Sequence, residues 1–158
     1  MKGSAEVLGP LTPEQVLELL PQQEPFRFVD RILEIDDEHI VATYRFRPEA
    51  DFYRGHFPGD PVTPGVILLE ALGQAGVVAL GIYLFALDHT LEEAEQTVSL
   101  FADAEVEFFA MVPPDTEVTI SATKVFWRRS KIRSKASMTL ADGTLVCEGT
   151  ISGMGVKR

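Results

Sequence analysis

From Thr116 onward the chain alternates between apolar and polar positions. In TEVTISATKVFW, Val118, Ile120 and Ala122 fall on one side and Thr119, Ser121 and Thr123 on the other, the period of a half-buried strand. KIRSKASMTL and TLVCEGTISG read as two further strands joined through Ala141-Asp142-Gly143, where Asp-Gly favours a tight hairpin. Upstream, VSLFADAEVEFF is another strand, ending at the turn VPPD. FRFVDRILEI and HIVATYRF, rich in β-branched and aromatic residues, form a hairpin closed by the polar Asp36-Asp37-Glu38. Between these two strand groups the alternation stops. Gly65 to about Leu87 is almost continuously apolar and predicts a helix about 35 Å long at about 1.5 Å per residue. DHTLEEAEQT behind it reads as an acidic connector. At the other end, LTPEQVLELLP predicts a short peripheral helix within segment 1–20, with Thr12 as N-cap, Pro13 at its first position and Pro21 ending it.

One long apolar helix and about six strands, mostly linked by hairpins, satisfy each other if an antiparallel sheet curls around the helix. The expected architecture is a single α+β domain over residues 1–158. Helix faces that the sheet leaves uncovered call for a second copy, so a homodimer is expected. Length and composition agree with one globular domain, since 158 residues with 46% hydrophobic and 24% charged positions can bury a core. A formal net charge of −10 argues against nucleic acid or an anionic membrane as the main partner. Val66 to Leu87 is long enough to span a bilayer, yet it carries Glu70 and Gln74 and lacks flanking Lys or Arg, so a buried core helix is the expectation. No secretory pattern opens the chain, and a cytoplasmic location follows. The single cysteine, Cys147, excludes an intramolecular disulfide and reads as a buried structural thiol.

The chemistry concentrates in GHFPGDPVTPGVILLEALGQ, residues 55 to 74. His56 lies in a loop stiffened by Pro58, Pro61 and Pro64, and stiffness is what an acid–base group needs to hold its geometry. Glu70 follows fourteen residues later, among Ile67, Leu68, Leu69, Ala71 and Leu72, where loss of water should raise its affinity for a proton. Gln74, four residues on and on the same helix face, can orient that carboxyl. Gly59 and Gly65 permit close backbone approach, and the Gly65 N–H at the helix start can support negative charge on an oxygen. Together these parts can remove a proton alpha to a thioester carbonyl and protonate a departing hydroxyl. His39, His56 and His89 have no metal-ligand spacing, so no metal is expected. No GxSxG occurs for a serine nucleophile.

PFRFVDRI (residues 25 to 32), residues 55 to 74, and DGTLVCEGTI (142 to 151) resemble the 3-hydroxyacyl-[acyl-carrier-protein] dehydratases of the FabA/FabZ type, over most of the chain from about Leu19. The resemblance implies a hot-dog fold, a long helix wrapped by an antiparallel sheet, assembled as a dimer or a trimer of dimers. It places the catalytic pair on His56 and Glu70, drawn from different subunits, and the oxyanion donor on the Gly65 N–H. It puts the carbonyl that holds the imidazole on Val62 and the residue orienting the acid on Gln74. Glutamate at position 70 resembles the dehydratase-only branch. The implied reaction converts a 3-hydroxyacyl thioester to the trans-2-enoyl thioester and water, without a cofactor.

The implied partner, acyl carrier protein, is itself acidic, so a local basic patch is required on this acidic chain. Arg128, Arg129, Lys131, Arg133 and Lys135 supply one, with the last three at period two on one strand face. Phe57, Phe101, Phe108, Phe109 and Met111 are candidates for an acyl tunnel, with core packing as the alternative. Two segments depart from the family pattern: PQQEP stands where His and Arg usually precede PF, and EVEFFAMVPPDTEV lacks the usual basic residues. They point to a divergent branch, in fatty-acid synthesis or a specialised lipid or polyene pathway. Two other readings compete: an acyl-thioester hydrolase on the same fold, and a non-catalytic subunit that binds acyl carriers.

Overall fold

A computed structural model describes residues 5–158. Its strands are β1 (Arg31–Ile35), β2 (His39–Arg45), β3 (Thr97–Phe108), β4 (Glu117–Arg128), β5 (Lys131–Leu140) and β6 (Leu145–Lys157). They form one antiparallel sheet in the order β1-β2-β4-β5-β6-β3. A helix runs from Gly65 to Ala86, and its middle turns pack on β2, β3, β4, β5 and β6. This is the hot-dog arrangement: the sheet wraps the helix.

The core follows from the alternation. Val118, Ile120 and Ala122 of β4 are buried, with Ile132, Ala136 and Met138 of β5 beside them, and Ile120 lies opposite Met138. They meet Leu68, Leu72, Ala75, Ala79 and Leu80 of the helix, all buried. Each buried Val, Leu, Ile or Met among them contributes about 1.5–3 kcal/mol relative to exposure. Two thirds of the long apolar helix window lies buried inside the protein, which makes it the core helix expected. Burial pushes the Cys147 thiol up to about 12, so it stays a neutral core group.

The N-terminal helix spans Pro13–Leu19 and is capped by Thr12, whose hydroxyl accepts from the Gln15 N–H while Gln15 returns a bond to the Thr12 N–H. Although one side faces solvent, Val16 and Leu20 are inserted into the core. Asp36 closes the β1–β2 hairpin by accepting from the Glu38 and His39 N–H groups, and Gly143 turns the β5–β6 hairpin at φ +89°.

Four local features depart from the sequence pattern. β1 begins at Arg31, not Phe26, because the Phe28 N–H is bound by a glutamine side chain instead of a neighbouring strand. The long helix widens to a π-helical segment over Gln74–Ala79, where the Gly76 carbonyl accepts from Ser134 Oγ at 2.6 Å. The acidic connector contains a short helix, Leu91–Glu95, capped reciprocally by Thr90 and Glu93. Lastly, β3 does not turn back onto β4 but pairs with β6 at the far edge of the sheet, so VPPD carries a crossover and not a hairpin.

Candidate active site

Between β2 and the helix the chain has no regular ladder, so the loop must satisfy its own polar groups. It does so around His56. The His56 N–H donates to the Phe52 carbonyl at 3.0 Å, and the Val62 N–H donates to the His56 carbonyl at 3.0 Å. Val62 returns the contact through its own carbonyl, which accepts from His56 Nδ1 at 2.9 Å. A carbonyl can only accept, so Nδ1 carries the hydrogen, and in the neutral ring Nε2 presents the lone pair. Inside this closed loop, Phe57 and Asp60 exchange backbone bonds around Gly59, whose φ of +74° suits glycine. Beneath it, buried Tyr53 and Thr63 share a 2.6 Å hydroxyl bond, and the Thr63 N–H reaches the Val112 carbonyl. The imidazole is therefore held by the Val62 carbonyl, while the Tyr53–Thr63 pair ties the two ends of its loop together.

Glu70 projects from the second turn of the helix and is half-buried. Burial raises its proton affinity above the ordinary glutamate value of 4.5, and a bond from Gln74 partly offsets that. Gln74 is fully buried. Its Nε2 donates to Glu70 Oε1 at 2.9 Å and to the Phe26 carbonyl at 2.9 Å, while its Oε1 accepts the Phe28 N–H at 2.7 Å. Glu70 opens onto a cavity lined also by Gln22, Gly73, Val77, Val78, Ser99, Leu100 and Phe101. Phe101 lies directly over Gly73: a Cβ there would sit 2.3 Å from the ring, so only glycine admits the aromatic at that height.

His56 is not among the residues lining the Glu70 cavity. Gly65 begins the helix, where the first N–H groups have no intrahelical acceptor, and the Phe108 ring lies against it. Of the five aromatic and methionine candidates, Phe101 lines the Glu70 cavity. Phe57 stacks on the His56 ring with centroids 4.1 Å apart. Phe108, Phe109 and Met111 are exposed near the end of β3.

The basic residues divide. Arg128 and Arg129 stand at the β4–β5 turn with Lys131. Arg133 is engaged, donating to Ser152 Oγ at 2.9 Å, lying over the Phe126 ring and pairing with Asp103 at 3.7 Å. Lys135 is on the outer sheet face beside Glu105, Glu107 and Glu148. No local pattern in the sequence marks Tyr53, Thr63, Phe26 or Phe28 as part of the site. The one local signal for Gln22 was the unusual PQQEP.

A wrapped helix with a loop imidazole and a helix carboxyl, each anchored by its own hydrogen bonds, defines a hot-dog protein of acyl-thioester chemistry. The chain matches the FabA-like domain over residues 20–152. It is 37% identical over 139 residues to proteins named 3-hydroxyacyl-[acyl-carrier-protein] dehydratase FabZ from Erwinia tasmaniensis, Klebsiella pneumoniae and Escherichia coli, covering 87% of this chain and 88% of each of theirs. This chain belongs to the FabA-like family, and within it to the FabZ type. Among solved structures, the dehydratase heterocomplex ApeI:P from Xenorhabdus doucetiae superposes with a TM-score of 0.74 at 12% identity, covering 94% of this chain and 93% of that one. A thioesterase from Haemophilus influenzae gives 0.65 at 15%, covering 95% and 94%. At such identities these likenesses establish the fold alone.

Proposed function

We propose that this protein dehydrates 3-hydroxyacyl thioesters carried on acyl carrier protein, giving the trans-2-enoyl thioester and water. The observation that carries the reading is the paired anchoring of His56 and Glu70. Val62 leaves Nε2 of His56 free as a base, and burial raises the proton affinity of Glu70, which Gln74 aims. His56 takes a C2 proton, and negative charge passes to the thioester oxygen, where the Gly65 N–H supports it. The electron pair then forms the C2–C3 double bond, the C3–O bond breaks, and the leaving hydroxyl takes the Glu70 proton. Transfer of a proton from the imidazolium to the carboxylate, through solvent, resets both groups.

The complete site is proposed to form between two copies, with His56 of one facing Glu70 of the other. Support comes from the absence of His56 from the Glu70 cavity and from the free edge of β3, which exposes Leu100, Phe101 and Phe108. The acidic carrier would dock at the β4–β5 turn, where Arg128, Arg129 and Lys131 have no carboxylate partner among the described residues. Arg133 and Lys135, beside acids, contribute less. Phe101 serves as a wall of the acyl site. The pathway served remains the fatty-acid or specialised lipid expectation.

The test is direct. The protein is incubated with 3-hydroxyacyl carriers of several chain lengths, and the carrier-bound product is weighed. Loss of one water with the acyl group still attached supports the proposal. Release of free acid identifies a hydrolase, and an unchanged but bound carrier identifies a non-catalytic subunit. His56→Ala and Glu70→Gln each abolish turnover while the far-ultraviolet spectrum stays native; full activity in either overturns the assignment.

A further inference from the structure

Gln22 belongs to PQQEP, the segment that departs from the family pattern, and the structure fixes it firmly. Its carbonyl accepts from Arg27 Nε at 2.7 Å. The neighbouring Leu20 carbonyl accepts both Arg27 Nη2 at 2.9 Å and Gln23 Nε2 at 3.1 Å. From this anchored backbone the side chain reaches the cavity that holds Glu70. Its Oε1 is turned into the protein, nearly inaccessible, and accepts no hydrogen bond among the described residues. A buried amide oxygen without a donor is unfavourable, and because Gln22 lines the cavity, turning its terminal amide would bring that oxygen to a ligand donor.

The remaining lining narrows the ligand. Gly73, Val77, Val78, Leu100 and Phe101 are apolar, and Ser99 and Glu70 are the other polar residues. A ligand that fits is an apolar chain bearing one hydroxyl close to the carboxyl. We propose that Gln22 Oε1 accepts the hydrogen of the substrate's 3-hydroxyl and so determines selectivity for 3-hydroxyacyl over unsubstituted chains. This rests on the dehydratase reading and adds a residue to it.

Directing the hydroxyl hydrogen to Gln22 turns the oxygen lone pairs toward the Glu70 proton, the orientation that leaving as water requires. When the C3–O bond breaks, its electron pair goes with the oxygen, which takes the Glu70 proton. The new water keeps one hydrogen on Gln22 Oε1 and points the other at the Glu70 carboxylate. Gln22 neither gains nor loses a proton. It acts only as acceptor.

The experiment is run in a His56→Ala background, which blocks turnover, with 3-hydroxyacyl and saturated acyl chains of equal length on the same carrier. Gln22→Met keeps length and flexibility but removes the acceptor. It lowers the preference for the hydroxylated chain by about tenfold and leaves affinity for the saturated chain unchanged. Gln22→Glu keeps an acceptor oxygen and retains the preference. The proposal is overturned if the methionine variant retains the preference, if it weakens both ligands equally, or if the glutamate variant loses as much as the methionine one. Turnover by the unmutated protein is measured alongside. Absence of any dehydration defeats the underlying reading, whereas dehydration with an unchanged binding preference in Gln22→Met defeats the Gln22 assignment alone.

Discussion

The Gln74 amide donates to the Glu70 carboxyl at 2.9 Å and, through the same nitrogen, to the Phe26 carbonyl at 2.9 Å. Its oxygen takes the Phe28 N–H at 2.7 Å. One buried side chain therefore sets both the aim of the acid and the course of the loop that precedes β1. Gln74→Leu leaves the buried Phe28 N–H without an acceptor, which costs about 1–3 kcal/mol. The expected outcome is a lower denaturation midpoint together with a reduced kcat. A variant as stable as the parent would show that the loop holds its course without Gln74.

Glu70 predicts opposite trends for activity and for stability against pH. In the proposed role of general acid it must carry its proton, so turnover is expected to fall as pH rises through its raised value. Its folded-state proton affinity exceeds that of the unfolded chain, so the native state binds more protons between the two values and loses stability as pH climbs from about 4.5. Glu70→Gln removes that loss while keeping the oxygen that Gln74 contacts. Thermal midpoints of the two proteins should coincide at low pH and separate, with the glutamine variant higher, as pH increases. Parallel curves would refute a raised Glu70.

Tyr53 and Thr63 form the buried support below the histidine loop. Tyr53→Phe leaves the Thr63 hydroxyl without its partner, for a loss of about 1–2 kcal/mol. Because the imidazole is held through this loop, kcat should fall more than KM changes. Steady-state kinetics on carrier-bound substrate check this, and an effect on KM alone would place the pair at binding instead.

Phe101 rests on Gly73 at a distance that excludes a methyl group. Since the ring is partly exposed, Gly73→Ala displaces it without unfolding the chain. The displaced ring alters the cavity beside Glu70, and chain-length preference should shift. Adding Phe101→Ala to Gly73→Ala relieves the clash and restores part of the parental profile. A parental profile in Gly73→Ala itself would remove Phe101 from the acyl site.

Docking of an acidic carrier on an acidic protein should depend on the β4–β5 turn. Reversing charge at Arg128 and Arg129 raises KM for carrier-bound substrate and flattens its dependence on ionic strength. The same variants leave KM for a short thioester lacking the carrier protein unchanged. Equal effects on both substrates would argue against docking there.

Much of this was readable in one dimension because it is set by near neighbours. Alternation in β4 and β5, the Thr12 cap and the turn at Gly143 all depend on backbone angles and contacts within a few residues. The Thr90–Glu93 cap is equally local, although the acidic residues around it give that stretch the look of a connector. The Gln74–Glu70 contact, one helical turn apart, was also visible in the spacing.

Other features belong to chain segments far apart. β3 pairs along β6 and not along the opposite edge at β1, a choice made between segments far apart in the chain. The Gln74 clamp on Phe26 and Phe28 spans 48 and 46 residues. Arg133 found Asp103 and Ser152 across the sheet, so a cluster that looks uniformly basic in sequence is partly neutralised in space. The orphan oxygen of Gln22 became visible only when the N-terminal segment was laid against the helix bearing Glu70. The residue order thus determined the elements and their caps, since those arise from short-range sterics and hydrogen bonding, and it named the proposed pair. Only folding decided what each reactive group faces, because burial and partnership are properties of surfaces brought together from distant parts of the chain.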